Sequence, residues 1–311
     1  MLRAVRHKTL ANMDMMSLPF VSVILPVYND AERLKICLGA LEEQTYPKEA
    51  YEVIVVDNNS AESIEAIVEN YAQARADFED RPGSYSARNK GLATAQGEVL
   101  AFTDSDCIPA ADWIERGVKA LLSVPNCGIV GGEVTLFFKD PDRPTAVELY
   151  DRLMYLSQKR YVEKYKYSAT ANLFTFRHVF ERVGDFDGTL QSGGDKEWGQ
   201  RVTAAGYTLF YAADVRIKHP ARATLAEMQE KTRRVARGFT KRAWKQHLAP
   251  LSWTYESLMD HLPPIPPVVT TMRISDATFG MKMKILMIWC LLRYTRIVEI
   301  LRTKCVKATR Q

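Results

Sequence analysis

The chain has 311 residues, 47% apolar and 25% charged, which suits one large domain with an extension or two domains and excludes disordered, collagen-like and coiled-coil chains. Its formal charge of +5 is too mild to imply nucleic acid. The charge is unevenly spread: residues 1–215 carry a net −8, residues 216–245 a net +8 and residues 282–311 a net +7. An anionic partner is therefore expected at the last third.

Residues 1–18 include Arg3, Arg6 and Lys8 but no apolar run of secretory length, and read as a disordered leader with alternative starts at Met13, Met15 and Met16. From Val21 the pattern is regular. VSVILPV is a strand buried on both faces, followed by the polar stop Tyr28-Asn29-Asp30 and a helix striped by Leu34, Cys37, Leu38 and Leu41. A second strand, Tyr51 to Val56, ends at Asp57-Asn58-Asn59-Ser60, and Ile64, Ile67, Val68 and Tyr71 stripe a second helix. A polar stretch with Pro82-Gly83 leads to a short helix from Ser86 to Ala95 and the strand EVLAFT, which ends in Asp104-Ser105-Asp106. Trp113, Ile114, Val118, Leu121 and Leu122 mark a further helix, and CGIVGGEVTLFF a further strand.

This alternation predicts a doubly wound α/β sheet. Beyond Lys139 it loosens into a Tyr-rich helix (146–165), the strand-like ATANLFTFR, a helix from Gly194 and two short strands, TLFYA and VRIKH. Residues 223–247 read as a basic helix, 261–267 as a Pro-rich connector and 276–306 as a long basic helix with an apolar stripe. The five cysteines, Cys37, Cys107, Cys127, Cys290 and Cys305, are odd in number and widely spaced. That fits a reduced, cytoplasmic compartment and offers no metal or redox pair.

Parallel strands bring their carboxyl ends to one edge, where open α/β sheets bind ligands. Three polar clusters follow three strands here, and the third is the most informative. Asp104 and Asp106 can hold Mg²⁺ or Mn²⁺ and present it to a diphosphate. An isolated D-x-D is common by chance and otherwise reads as a solvated turn; its place at a buried strand end gives it weight. Arg88 can fork onto phosphate or a base carbonyl, or sit as a plain surface cation. Asp195 follows Gly193-Gly194 at a helix start, a place for a general base or for a simple cap. His219 ends VRIKH and is a candidate third metal ligand beside the commoner reading of a packing residue.

In order and spacing, VSVILPVYND, VIVVDNNS, ARNKGLATAQGEVLAFTDSD, VFERVGDFDG, SGGDKEW and VRIKHP resemble the family 2 glycosyltransferases with the nucleotide-sugar-binding GT-A fold. The resemblance covers about Val21 to Gly238. It implies a mixed, mostly parallel sheet flanked by helices, with a catalytic domain over residues 19–222 and a basic helical extension over 223–311. It also implies a metal-dependent, inverting transferase of polysaccharide or glycoconjugate biosynthesis, with a nucleotide-diphosphate sugar as donor, most commonly a uridine diphosphate sugar in this family. Pro26, Tyr28, Asp57, Asn58, Arg88 and Asp104 then match the nucleotide-sugar site, Tyr28 stacking on the base. Asp104 and Asp106 match the metal motif, and Asp195 the catalytic base. Arg237 and its neighbours Arg233, Arg234 and Gly238 match a basic helix that reaches the diphosphate or an anionic acceptor. Two positions depart from the family pattern: Asn58 stands where a second Asp is common, and Gly194 where a Glu precedes the base.

Three rival readings are weaker. A haloacid-dehalogenase-like phosphatase wants Thr or Val after its D-x-D, and Cys107 follows here. A nucleotidyltransferase wants a Gly-rich loop after its first strand, which is absent. A non-enzymatic membrane or RNA binder using the basic last third lacks any nucleic-acid module. The expected partners are thus the donor, a saccharide or lipid-linked saccharide acceptor and no nucleic acid. ILMIWCLL is too short to span a bilayer, so the last helix is expected either to pack on protein, in this chain or in an oligomer, or to lie on an anionic membrane surface from the cytoplasmic side.

Overall fold

The computed structural model describes residues 18–154, 157–245, 265–274 and 277–308. Residues 1–17 of the leader expected at 1–18, and most of the Pro-rich connector, lie outside the described residues.

One eight-stranded sheet runs in the order β3-β2-β1-β4-β7-β6-β8-β5. Strands β1 (Val21–Val27), β2 (Tyr51–Asp57), β3 (Ala74–Phe78) and β4 (Val99–Thr103) are mutually parallel. β7 (Asn172–Phe176) runs antiparallel to β4 and to β6 (Cys127–Phe137). β6 pairs in parallel with β8 (Thr208–Pro220), and the two-residue β5 (Ile108–Pro109) closes the edge against β8. The sheet is mixed and mostly parallel, as the family resemblance implies.

The central strands β1, β2 and β4 are largely apolar because both faces are covered. Val21, Val23, Leu25 and Val27 of β1 point into one core, with Val53, Val55, Val99 and Ala101 beside them. Ile24, Ile54, Val56, Leu100 and Phe102 point into the other. This two-residue period divides the helices between the faces. The first core is covered by α1 (Ala31–Glu42), α2 (Ile64–Val68) and α4 (Trp113–Ser123), through Leu34, Ile64 and Trp113 among others. The second is covered by α3 (Ser84–Thr94), α7 (Arg177–Val183) and α8 (Gly194–Ala204), through Tyr85, Phe180 and Trp198.

A third, smaller core joins the parts after β6. α5 (Ala146–Met154) supplies Leu149 and Tyr150, α9 (Leu225–Lys245) supplies Met228, and the last helix supplies Ile285 and Leu292. That last helix, Phe279–Ala308, is α11; α10 (Ile265–Met272) precedes it. Between α5 and β7, a single turn, α6 (Gln158–Arg160), runs into a π-helical turn at Tyr161–Tyr165.

Three expectations change. The polar stretch before Pro82 contains β3, an edge strand whose Arg75 pairs with Glu52 at 3.0 Å and whose Asp77 pairs with Lys90 at 3.3 Å. TLFYA and VRIKH belong to one strand, β8, whose register against β6 shifts between Ala212 and Arg216. The Tyr-rich helix expected at 146–165 is described as α5, α6 and the π-helical turn, with residues 155 and 156 outside the description.

Candidate active site

Since β1 is flanked by β2 on one side and β4 on the other, the crossovers leave β1 in opposite directions. A crevice opens there at the carboxyl ends of the strands. The loops after β1 and β2 are locked together: the Asn29 amide donates to Ser60 Oγ at 3.0 Å, and the Ala61 amide to Asn29 Oδ1 at 2.8 Å. Asn29 holds φ at +49°, a left-handed conformation that Asn tolerates better than most residues. The crevice deepens into a cavity of about 890 Å³, walled by loop ends of the sheet on one side and by α5, α9 and α11 on the other.

The sheet side is acidic. Asp30, Asp104, Asp106 and Asp195 all line it. Asp104 leaves β4, and β5 begins two residues after Asp106. Because β5 pairs antiparallel with β8, with Ile108 opposite Lys218, the D-x-D turn is carried against the end of β8. His219 Nε2 therefore lies 3.6 Å from Asp106 Oδ2. His219 Nδ1 lies 2.7 Å from the Pro220 carbonyl. An N–H donated there leaves Nε2 as the lone-pair nitrogen, the tautomer a metal ligand needs.

One ligand atom each from Asp104, Asp106, Cys107 and His219 lie within 4.8 Å of one another. Burial first, and Asp104 second, push the Cys107 thiol well up in pKa, so it stays protonated and ligates poorly. Two carboxylates and an imidazole suit Mn²⁺, with oxygen ligands from a phosphate or water completing the shell. The residues present fit a divalent ion.

Arg88, on α3, is 3% exposed. It makes an ion pair and hydrogen bond with Asp104 and donates to the Ser84 carbonyl at 3.3 Å. Its buried Nε has no hydrogen-bond partner among the described residues. A buried guanidinium nitrogen left unpaired is costly unless a ligand meets it.

Asp195 stands in the first turn of α8, behind Gly193, which takes φ of +79° as the cap. Its Oδ1 accepts from the Tyr85 hydroxyl at 3.1 Å and from the Lys196 amide at 2.8 Å. Burial raises its pKa above the ordinary carboxylate value, against the lowering pull of those bonds and of Arg88. A carboxylate so tuned, facing a cavity, can take a proton from a hydroxyl.

The opposite side is basic. Arg222 follows β8, Lys231 and Arg234 come from α9, and Arg293 and Arg296 from α11. Asp151 of α5 lies among them, bonded to Lys231 Nζ at 3.0 Å and to the Arg222 amide at 3.0 Å. The charge division along the sequence is thus a division across one cavity.

Pro26, Tyr28, Asn58, Arg88, Asp104, Asp106, Asp195 and His219 are brought together around this cavity. Tyr28 is 63% exposed, a free aromatic face for a planar ring. Asn58 lines the wall, but its amide is committed to backbone: it donates to the Glu79 and Arg81 carbonyls and accepts from the Gly83 amide. Asp57 is absent from the lining; its Oδ1 accepts from the Ser60 amide at 2.9 Å. Arg237 also turns away, donating to Glu299 of α11 at 2.7 Å, and Arg234 faces the cavity instead.

Asp30 lines the site from the polar cluster after β1, while Tyr85, Asp151, Trp289 and the α11 arginines line it from outside the sequence-predicted set. For the arginines, the basic blocks were a usable signal. For Tyr85 there was none, because its contact with Asp195 spans 110 positions.

Residues 22–187 match the model of glycosyl transferase family 2. Glycosyltransferase AglE of Haloferax volcanii is 44% identical over 227 residues, 71% of this chain and 73% of that protein. Pre-mycofactocin glycosyltransferase of Mycobacterium tuberculosis is 26% identical over 216 residues, 67% of this chain and 44% of that protein. Among solved structures, mannosyltransferase PcManGT from Pyrobaculum calidifontis, in complex with GDP-Man and Mn²⁺, superposes with a TM-score of 0.61. It covers 91% of this chain and 87% of that one at 21% identity. The fold is the GT-A fold of that glycosyltransferase.

Proposed function

The chain belongs to glycosyl transferase family 2, and on that premise we propose that it moves a sugar from a nucleotide-diphosphate sugar to an acceptor hydroxyl, with inversion at the anomeric carbon. The observation that carries this reading is the pairing, in one cavity, of a carboxylate poised to accept a proton with a carboxylate–imidazole cluster built for a cation. We propose residues 19–222 as the catalytic domain and 223–311 as an extension that walls the cavity.

Tyr28 and Pro26 are the proposed platform for the nucleotide base. A uridine diphosphate sugar is the proposed donor; GDP-mannose is the second to test, since the Pyrobaculum mannosyltransferase was solved with it. Asp104, Asp106 and His219 would hold Mg²⁺ or Mn²⁺, which supplies positive charge against the diphosphate. The Arg88 guanidinium, fixed beside Asp104, offsets the charge that grows on the departing nucleoside diphosphate. Asp195 Oδ accepts the proton of the acceptor hydroxyl as that oxygen bonds to the anomeric carbon and the carbon–phosphate-oxygen bond breaks. Attack from the face opposite the leaving group gives inversion. The acceptor, a saccharide or lipid-linked saccharide of polysaccharide or glycoconjugate biosynthesis, enters along α5 and the tyrosines Tyr161 and Tyr167.

A panel of nucleotide sugars with Mn²⁺ and Mg²⁺ tests this directly. Release of free nucleoside diphosphate supports transfer; release of pyrophosphate would show nucleotidyl exchange and overturn it. The anomeric configuration of the product, read by NMR coupling, decides inversion.

A further inference from the structure

We infer that the outward face of α11 is a docking surface for an anionic lipid bilayer, and that docking holds the basic side of the cavity about one helix diameter from the headgroup layer. No described helix is long and apolar enough to cross a membrane. The surface in question lies along a helix rather than through a bilayer.

α11 has two faces of different character. Its inward face packs Ile285 and Leu292 against α5 and α9, and Trp289, Arg293 and Arg296 line the cavity. Its outward face begins at Phe279, 73% exposed. Met283, Met287, Leu291, Tyr294, Val298 and Leu301 continue it, all exposed, with Met287 at 65% and Tyr294 at 66%. Their spacing of three and four residues confines all seven to an arc of about 120° along roughly 33 Å of helix. Large apolar side chains in an unbroken row are unusual on a surface that meets only water.

Charge identifies the occupant. α11 contains one acidic residue, Glu299, and it is buried and bonded inward to Arg237. Among the described exposed positions of the helix, the charged residues are Lys284 and Arg302, both cations at one edge of the stripe, with Lys282 at the other. An apolar row edged only by cations matches the apolar interior and anionic headgroups of a bilayer interface. A second copy of this chain would bring like charges edge to edge. Because the same helix walls the cavity, docking would leave the basic lobe about one helix diameter, ~10 Å, from the headgroups.

Flotation of the intact chain with phosphatidylcholine vesicles, with and without phosphatidylglycerol, tests this. The chain is expected to float with the anionic vesicles and to be released by salt. The double variant Met287→Glu/Leu291→Glu, which changes no residue lining the cavity, is expected to reduce the bound fraction roughly tenfold or more while keeping its circular dichroism spectrum. As a second readout, an environment-sensitive fluorophore on the exposed Cys290, in a Cys305→Ser background, should shift to the blue on vesicle addition. Failure of the intact chain to float overturns the proposal. So does equal flotation with neutral vesicles, and so does a dimer, seen by light scattering, that the double variant dissolves without any vesicle binding. Flotation needs no catalysis, so Asp195→Asn should float normally even if the transfer reading fails.

Discussion

The Tyr85 hydroxyl donates to Asp195 Oδ1 across 3.1 Å, joining α3 to the first turn of α8 at the proposed base. Burial and the Asp195 charge keep the Tyr85 phenol protonated and therefore a donor. The bond favours the ionised carboxylate, while burial opposes it. Removing the hydroxyl by Tyr85→Phe must then raise the Asp195 pKa further. In the proposed mechanism transfer requires ionised Asp195, so the acidic limb of the kcat profile should move to higher pH. A lower rate with an unmoved limb would mean that Tyr85 only packs.

Gly194 explains why that contact can exist. A Cβ at Gly194 would come within 2.8 Å of the Tyr85 ring, so the Glu that the family pattern favours here cannot coexist with Tyr85 where it stands. Gly194→Ala should push the ring aside, break its bond to Asp195 and lower kcat about tenfold or more, with donor affinity little changed. The double variant with Tyr85→Phe should be hardly worse than either single variant. Additive losses would uncouple the two positions.

What sequence alone conveys about this site follows a physical boundary. Strand-end clusters such as Asp104-Ser105-Asp106 are legible because the strands before them are mostly apolar and the polar stop is abrupt. β3 is not, since Arg75 and Asp77 of ARADF give an edge strand the look of a loop. Asn58 is the instructive case for side chains. Its residue type and position suit a base contact, yet its donors and acceptor are taken by Glu79, Arg81 and Gly83 backbone. The α11 wall depends on packing over more than a hundred positions, which local periodicity does not encode.

Asp195→Asn removes the proposed proton acceptor without changing shape. It should lower transfer by roughly 10²–10⁴-fold while sparing donor affinity. Because burial disfavours the native charge, thermal stability near neutral pH should hold or rise. Normal turnover by this variant would move the base elsewhere.

Asp106→Ala tests the cation cluster separately. Asp106 lies near Asp104 and His219 in a set whose ligand atoms fall within 4.8 Å. The variant should lose the Mn²⁺-dependent part of donor binding in calorimetry while keeping the weaker metal-free part that Tyr28 and Arg88 supply. Affinity unchanged with and without Mn²⁺ would remove Asp106 from the metal site.

The basic lobe offers a stability test. Lys231 is half-buried, and lost hydration first, then Arg222, pull its ammonium down to about 8 in pKa, against the raising pull of Asp151. Asp151 is itself buried, yet its cationic partners hold its carboxyl below the ordinary value. Removing the carboxylate takes the shared ion-pair partner from two half-buried cations, whereas removing the lysine leaves Asp151 still bonded to Arg222. Asp151→Asn should therefore destabilise by about 3 kcal/mol, and Lys231→Met by much less. The sign of the pH dependence follows from the lowered Lys231 value. The unfolded chain binds that proton more tightly, so the wild type should gain stability as pH rises from about 8 towards the ordinary lysine range, and Lys231→Met should lose that gain. Denaturant melts across that range measure both. Equal losses in the two variants would mean that the pair, rather than the uncompensated charge, sets the stability.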